Sequence, residues 1–212
     1  MSFDPARAAM RFGCGLSPSI DPPRDVNAML RALEGPDAAA AQYPIAGFDR
    51  VTEAANTVRE ARRQIQKAKA ETDRKAGRAL QVSTVKALKA EAATWFRHML
   101  LRRVLGEDGF RERLTFFWAD HLTAQNGNGV IGTGYLPYVE EAIRPHVAGR
   151  FADMLKAAVQ HPLMLLYLDQ SRSVGPNSKM AERRGDGTGL NENLAREVME
   201  LHTLGVGGPY GQ

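Results

Sequence analysis

The feature that most constrains the fold of this chain is a long stretch with neither glycine nor proline before Gly77. It runs from about Asp49 to Arg78, and its apolar residues recur at steps of three and four positions. Because this spacing places them along one side of a helix, the stretch predicts a single amphipathic helix with a narrow apolar stripe. The residues of the stripe are Val51, Ala54, Ala55, Val58, Ala61, Ile65 and Ala68.

A second helix is predicted over about residues 83–104, where apolar residues repeat at the same spacing. The two helices together predict a long helical hairpin, residues 49–104, that projects from a helical body. Further helices are predicted over about residues 110–122 and 191–204, and no segment alternates apolar and polar residues as a strand does. We therefore predict an all-α fold, with residues 1–212 as a single helical domain.

The composition excludes several classes of protein. Cys14 is the only cysteine among 212 residues, which excludes a disulfide framework and a thiolate zinc cluster within the chain. No apolar run approaches the roughly 20 residues that a membrane span requires. The N-terminal residues Met1–Arg7 lack a basic stretch followed by an apolar one, so no signal peptide is visible.

The positive charge is concentrated in the predicted hairpin. The chain carries a net charge of +4, and residues 49–91 alone hold eleven basic and six acidic residues. A site for single-stranded nucleic acid would need aromatic side chains that stack on bases, and residues 49–93 contain none. The charges therefore favour a solvated helical face, open to a protein partner, over a nucleic-acid site.

Two histidines lie on the apolar sides of predicted helices. At about 100° per residue, His121 and His202 each fall about 20° from the centre of the apolar side of their helix. Asp120 and Glu197 lie on the borders of those sides. Since both helices must bury their apolar sides in one core, we expect the two imidazoles to converge, within reach of each other or of a common carboxylate.

This convergence has two interpretations. A buried imidazole is most often satisfied by a carbonyl or carboxylate, which would make both histidines structural. The functional interpretation is a divalent-metal site with the candidate ligands Asp120, His121, Glu197 and His202, of which the last three are also candidate catalytic residues. In an α-helix Glu197 and His202 stand about 140° apart, so they cannot bind one ion from the same side. A metal site would therefore need ligands from another part of the protein.

A glycine-rich loop follows the first of these helices. Gly127, Gly129 and Gly132 have the spacing of a dinucleotide-binding loop. That loop follows a strand, whereas the segment before Gly127 is predicted to be the helix that contains His121. We therefore interpret the glycines as a tight turn, placed to form the rim of a pocket beside His121.

Four motifs carry a resemblance to a known family. They are RFGCGLSP at residues 11–18, FFWADHLTAQ at 116–125, HPLMLLYLDQS at 161–171 and GLNENLAREVMELHTLG at 189–205. In order and spacing they resemble the bacterial family known as domain of unknown function 1800. The resemblance implies a largely helical fold but no chemistry, because the family's name records that its function is unknown.

The same resemblance bears on the extent and surroundings of the chain. Family members continue well beyond the position of Gln212, which implies that this chain is the N-terminal part of a longer protein. We then expect an exposed apolar patch near the last helix or near Pro162–Leu168. Members are often exported and often encoded beside a second uncharacterised protein, which the resemblance offers as a protein partner. The compartment stays open, since this chain shows no signal peptide.

Two functions of different classes follow from these observations. In the first, the chain contributes part of a polar, metal-dependent hydrolytic site that a C-terminal half completes, with a divalent metal as its cofactor. In the alternative, the chain is a non-catalytic scaffold or protein-binding module that acts through the charged hairpin. The two differ in whether metal binding depends on His121 and His202.

Overall fold

The protein is built from helices joined by short loops. The computed structural model describes residues 2–125, 127, 129–175, 177–184 and 189–208. Within those ranges no strand occurs, which confirms the all-α prediction. The α-helices are α1 (Pro5–Phe12), α2 (Val26–Glu34), α3 (Ala38–Gln42), α4 (Phe48–Lys67), α5 (Glu71–Leu105), α6 (Gly109–His121), α7 (Tyr135–Tyr138), α8 (Phe151–Gln160), α9 (Pro162–Tyr167), α10 (Lys179–Arg184) and α11 (Asn193–Glu197). Short 3₁₀ turns occur at Ile131–Gly134, Arg144–His146 and Gln170–Arg172, and π-helical turns at Val139–Ile143 and Val198–Thr203.

The turn between α4 and α5 is not where the sequence pattern placed it. One helix was expected through residues 50–76, and this is wrong: α4 ends at Lys67 and α5 begins at Glu71. Neither glycine nor proline marks the break, since Ala68 and Ala70 take up the extended backbone. A reversal of charge does mark it, because Lys67 and Glu71 suit the negative end of one helix dipole and the positive end of the next.

Helices α4 and α5 pack side by side as a hairpin. A Cβ atom on Gly77 would lie only 2.7 Å from Cγ1 of Ile65, so the two backbones approach closely there. Nearer the body of the protein, the guanidinium of Arg50 donates two hydrogen bonds, of 2.8 and 2.7 Å, to the carboxylate of Glu91. Because Ile65 faces Gly77 while Arg50 faces Glu91, the two helices run antiparallel.

Helix α6 buries a polar side rather than the side that the apolar pattern indicates. Phe117, an apolar residue of this helix, is 55% exposed, whereas Arg111 and Glu112 are buried. Glu112 forms an ion pair of 2.5 Å with Arg144, which also donates two hydrogen bonds to Asp37. Because these charges are paired and hydrogen-bonded, this side of α6 can enter the interior.

The apolar core forms where α4, α5, α8 and α9 meet the π-helical turn at Val139–Ile143. Tyr138, directly before that turn, is fully buried and reaches the end of α6. The most deeply buried apolar residues are Val51, Leu88, Leu122, Tyr138, Ile143, Met154, Leu163 and Met164. The core therefore fixes the helix that ends in His121.

Two exclusions made from the sequence agree with the structure. None of the helices in the described ranges is long and apolar enough to cross a membrane. The element before Gly127 is α6, and the segment after Gly129 continues as the 3₁₀ turn Ile131–Gly134. This arrangement lacks the strand that a dinucleotide-binding loop follows.

Candidate functional site

The C-terminal end of α6 is held by two hydroxyl groups. Tyr138 donates from its hydroxyl to the carbonyl oxygen of Leu122 at 2.6 Å, and Tyr135 donates to the carbonyl oxygen of Ala119 at 3.3 Å. These carbonyls belong to the end of the helix, where intrahelical N–H partners run out. His121 lies between them in the sequence and is thereby fixed at the end of α6.

The last helix is anchored through Asn191. Its side-chain Nδ2 donates to the carbonyl oxygen of Leu168 at 3.2 Å, and its backbone N–H donates to Oγ of Ser173 at 3.0 Å. Its Oδ1 accepts a 3.0 Å hydrogen bond from the N–H of Asn193, the first residue of α11. The helix starts two residues later than predicted because asparagine side chains bond to the backbone just ahead of a first turn.

After Glu197 the helix continues as the π-helical turn Val198–Thr203. The N–H of Leu204 donates to the carbonyl oxygen of Met199, five residues earlier, at 2.8 Å. A π turn joins residues five apart by backbone hydrogen bonds. The separation of about 140°, which assumes α-helical geometry throughout, therefore does not apply directly to Glu197 and His202. Burial lowers the pKa of the His202 imidazole, and the nearby charge of Glu197 opposes that larger effect.

The imidazoles of His121 and His202 meet, as expected from the sequence. Their ring centroids lie 6.0 Å apart, with the planes inclined at 67°. Nε2 of His121 donates to the backbone carbonyl oxygen of His202 over 3.2 Å. The His202 residue is only 7% exposed, whereas His121 is half-buried. This contact joins the end of α6 to the end of the last helix.

Aromatic rings fix the orientation of His121. Phe117, one turn earlier, stacks on the imidazole with an interplanar angle of 2° and a centroid distance of 6.4 Å. Trp118 presents its edge at 5.6 Å and in turn packs against Phe151 at 5.1 Å. Phe117 and Trp118 therefore orient the imidazole of His121. This contact gives a role to the aromatic side of α6, which the core does not fully bury.

The ring nitrogens differ in their hydrogen bonding. Because Nε2 of His121 donates its proton, Nδ1 carries the lone pair whenever the ring is neutral. Nδ1 of His202 is buried and, among the residues that the structure describes, has no hydrogen-bond partner. Burial lowers the pKa of His202 and the charge of His121 acts in the same direction, while Glu197 opposes them. His202 is therefore neutral at neutral pH and keeps a nitrogen whose lost hydration costs about 1–3 kcal/mol.

The two predicted carboxylates are placed differently. Glu197 acts on His202 electrostatically. Asp120 is exposed, and its charge helps to raise the pKa of Tyr135, which burial raises most. Within the described part of the chain, no group of three histidine, cysteine, aspartate or glutamate side chains is arranged to hold a metal ion. These residues thus provide two converging imidazoles but not a full set of ligands.

Apolar side chains surround this site on the last helix. Leu201 and Leu204 are 56% and 59% exposed, and Leu194 and Val198 are half-buried. Tyr167, at the end of α9, is also exposed. Leu201, Leu204 and Tyr167 are thus exposed where an apolar patch was expected, and the continuity of that patch stays a prediction.

Sequence reasoning missed Tyr135 and Tyr138. The available signal was their spacing of three positions, which places both hydroxyls on one side of a helix. Polar groups on one side of a short segment directly after a loop can bind the carbonyls of a preceding helix. The carbonyl groups of α6 that they bind could not be predicted from the sequence. The length of the loop after α6 does not determine where the segment with Tyr135 and Tyr138 packs against that helix.

Comparison with known proteins places the chain in a family. No curated protein and no solved structure matches it. The model of the family described as "Protein of unknown function (DUF1800)" matches residues 7–212. All four motifs that carry the resemblance lie within that match, including the segments that contain His121 and His202. The chain therefore belongs to the DUF1800 family of proteins of unknown function.

Proposed function

We propose that His121 and His202 bind a divalent metal ion and that this site supports hydrolytic chemistry. The observation that supports it most is Nδ1 of His202, which is buried, without a partner among the described residues, and on a ring 6.0 Å from that of His121. Neutral imidazole is the form in which histidine binds metal, and burial keeps His202 in that form. A bound ion would satisfy a nitrogen that is otherwise costly to bury.

The hydrogen bonding of His121 also supports the proposal. A metal-binding histidine usually donates its other ring N–H to a carbonyl or carboxylate, which fixes the tautomer and the ring orientation. His121 makes such a bond through Nε2 to the carbonyl of His202. Nδ1 of each ring would be the nitrogen that binds an ion, and Phe117 and Trp118 contact the His121 ring.

Glu197 completes the chemistry of the proposed site. A divalent ion lowers the pKa of a bound water, and hydrolysis then needs a base that removes its proton. Glu197, one π turn before His202, is the carboxylate that acts on that imidazole and is our candidate for this role. A catalytic zinc ion usually has three protein ligands, so the proposal requires at least one from outside the described residues.

Calorimetric titration of Zn²⁺ into the purified chain tests the proposal. We expect about one equivalent to bind, and His121→Asn or His202→Asn to weaken binding at least about tenfold. His146→Asn is the matched control, because His146 lies in the 3₁₀ turn Arg144–His146, away from the site. Glu197→Gln should keep most of the metal affinity but lose hydrolysis of an activated phosphate or carboxylate ester.

Two results would contradict the proposal that His121 and His202 bind a metal ion. If both site variants fold, by far-ultraviolet circular dichroism, and bind Zn²⁺ as the wild type does, the two imidazoles are not ligands. If the wild type binds no Zn²⁺, Co²⁺ or Mn²⁺ at neutral pH, the histidines are structural, joined only by the bond between His121 and the carbonyl of His202.

A second candidate function is supported by the surface of the hairpin formed by α4 and α5. Side chains of Arg63, Arg74 and Arg78 pair with nearby glutamates, whereas Lys75, Lys86 and other basic residues have no ion pair in the described ranges. Leu80 and Val82 are exposed beside them, at 43% and 66%. Unpaired cations around exposed apolar residues fit a protein partner with an acidic surface.

Binding of two polyanions separates this function from the first. We expect labelled poly-glutamate to bind the hairpin more tightly than a single-stranded oligonucleotide of the same charge, since residues 49–93 contain no aromatic ring to stack on bases. Lys86→Glu with Lys89→Glu should abolish that binding and leave Zn²⁺ affinity unchanged. Equal binding of the two probes, or no effect of the reversal, would exclude this surface.

A further inference from the structure

A cavity of about 340 Å³ lies at the N-terminal end of the protein, away from His121 and His202. Its wall is formed by α1, the segment from Gly13 to Pro23, α2, and the chain from Arg103 to Phe110. Pockets for small molecules begin at about 300 Å³, so this cavity has the volume of a ligand site. The motif RFGCGLSP, at residues 11–18, supplies one side of it.

The glycines of this motif shape the wall. Gly15 has a φ of +111°, a conformation that other residues rarely adopt. A Cβ atom on Gly109, at the start of α6, would lie 3.4 Å from the backbone of both Gly13 and Cys14. Nε of Arg113 donates to the carbonyl oxygen of Gly13 at 2.9 Å and ties this loop to α6. The wall is therefore backbone packed on backbone, which gives a preformed cavity rather than an open loop.

The lining combines apolar walls with carboxylates. Its apolar side chains include Leu16, Ile20, Met29, Val104 and Phe110. Of the charged groups, Asp108 is already satisfied, since it accepts hydrogen bonds from the N–H and Nε of Arg111. The guanidinium of Arg103 lies 4.5 Å above the ring of Phe116, which is outside the lining.

Two carboxylates remain without a cation. Asp21 and Glu107 both line the cavity, both are exposed, and neither forms an ion pair with a residue that the structure describes. An apolar cavity with unpaired carboxylates attracts a ligand that carries positive charge next to an apolar body. A ligand with a carboxylate or phosphate would be repelled by these two carboxylates and attracted only by Arg103, whose guanidinium lies over the ring of Phe116.

We propose that this cavity binds a small organic cation, an amine with an apolar body, through its apolar wall and the carboxylates of Asp21 and Glu107. The apolar body of the ligand contacts Met29, Val104 and Phe110 on the wall. Its ammonium group lies at the rim between the two carboxylates. The site is independent of the metal site proposed above, because the two share no residue.

Three probes that share the same alkyl group test this site: octylamine, octanol and octanoate. Each is titrated by calorimetry into the full protein chain. We expect octylamine to bind at least about fivefold more tightly than octanol, since one exposed charge pair contributes up to about 1 kcal/mol, and octanoate to bind least. Asp21→Asn with Glu107→Gln should make octylamine bind as weakly as octanol. Glu182→Gln, an exposed carboxylate outside the lining, is the control for charge.

Filling the cavity gives a second, independent test. Ala28→Leu, on α2 in the lining, should abolish the binding of octylamine and octanol, whereas Ala93→Leu, an exposed position on α5, should not. The amide resonances of Gly13, Gly15 and Gly109 in the wild type should shift on addition of octylamine, a readout that needs no variant. Octanoate binding as tightly as octylamine, unchanged binding in Ala28→Leu, or no shift of those resonances would each overturn the proposal.

Discussion

Nε2 of His121 donates to the backbone carbonyl oxygen of His202 across 3.2 Å, and this bond joins the ends of two helices. The carbonyl lies in the π-helical turn Val198–Thr203, near the end of the last helix, where carbonyls lack intrahelical partners. The bond therefore stabilises that end and also fixes which nitrogen of His121 carries a lone pair. One contact thus sets both the local packing and the chemistry proposed for the site.

Stability should fall as the pH drops below neutrality. Burial lowers the pKa of both His161 and His202 from the ordinary value of 6.5. Below about pH 6.5 the unfolded chain therefore binds protons that the folded chain does not, so the free energy of unfolding decreases, by at most about 1.4 kcal/mol per pH unit for each histidine. Above about pH 7.5 both states hold these rings neutral, and these two histidines add no pH dependence.

Urea unfolding at pH 7.5, 6.5 and 5.5 measures this effect. His161 has no site for a second proton, because Nδ1 accepts from the N–H of Leu163 and Nε2 bonds to Glu141, both at 3.1 Å. His161→Gln and His202→Gln should each reduce the slope. A wild-type stability that is flat or rises between pH 7.5 and 5.5 would contradict the assignment.

Removal of Arg144 should be strongly destabilising. Its guanidinium bonds Asp37 and the buried Glu112, so Arg144→Leu leaves Glu112 as an unpaired buried charge, at a cost of about 3–5 kcal/mol. Adding Glu112→Leu should restore part of that loss. Arg196→Leu, which breaks an exposed pair with Glu192, should change the free energy of unfolding by less than about 1 kcal/mol. If Arg144→Leu and Arg196→Leu lowered the free energy of unfolding equally, burial of the ion pair would not determine its contribution to stability.

Gly77→Ala should destabilise the hairpin although alanine is the better helix former. The added Cβ would lie 2.7 Å from Cγ1 of Ile65, and overpacking of this kind costs about 1–3 kcal/mol, more than the gain of about 1 kcal/mol in helix propensity. Ile65→Ala in the same chain should relieve the clash and turn Gly77→Ala from harmful to neutral. Thermal unfolding of the two single variants and the double variant measures the coupling, and strict additivity would argue against the close approach.

Tyr138→Phe should weaken both the fold and metal binding. The hydroxyl of Tyr138 donates to the carbonyl oxygen of the buried Leu122 at 2.6 Å, and leaving that carbonyl unpaired costs about 1–3 kcal/mol. Because the bond fixes the end of α6, the affinity for Zn²⁺ should also fall. The control is Tyr167→Phe, since Tyr167 is 42% exposed. A loss of stability with Zn²⁺ affinity unchanged would show that Tyr138 supports the core but does not position His121.

The sequence was sufficient to predict the helical fold, which follows from apolar spacing. The imidazoles of His121 and His202 meet as predicted, although α6 buries Arg111 and Glu112 rather than the apolar side on which that prediction was based. The turn at 68–70 escaped that reasoning, because it contains neither glycine nor proline. The available signal was the change from basic Lys67 and Lys69 to acidic Glu71 and Asp73. Basic residues favour the C-terminal end of one helix, and acidic residues favour the N-terminal end of the next.

Other features depend on tertiary contacts that no local pattern encodes. Arg111 and Glu112 are buried because Arg144, the carbonyls of α2 and Asp108 pair with them, so the polar side of α6 faces inward. The π turn Val198–Thr203 breaks the assumption of about 100° per residue from which the positions of Glu197 and His202 were predicted. The metal site itself stays a prediction.

X-ray absorption at the zinc edge of the Zn²⁺-loaded chain decides whether His121 and His202 bind the ion, because it counts the imidazoles bound to zinc. We expect two imidazole nitrogens at about 2.0–2.1 Å, falling to one in His121→Asn and one in His202→Asn, and remaining two in His146→Asn. A spectrum without imidazole scattering, or one that neither site variant changes, would show that His121 and His202 do not hold a metal ion.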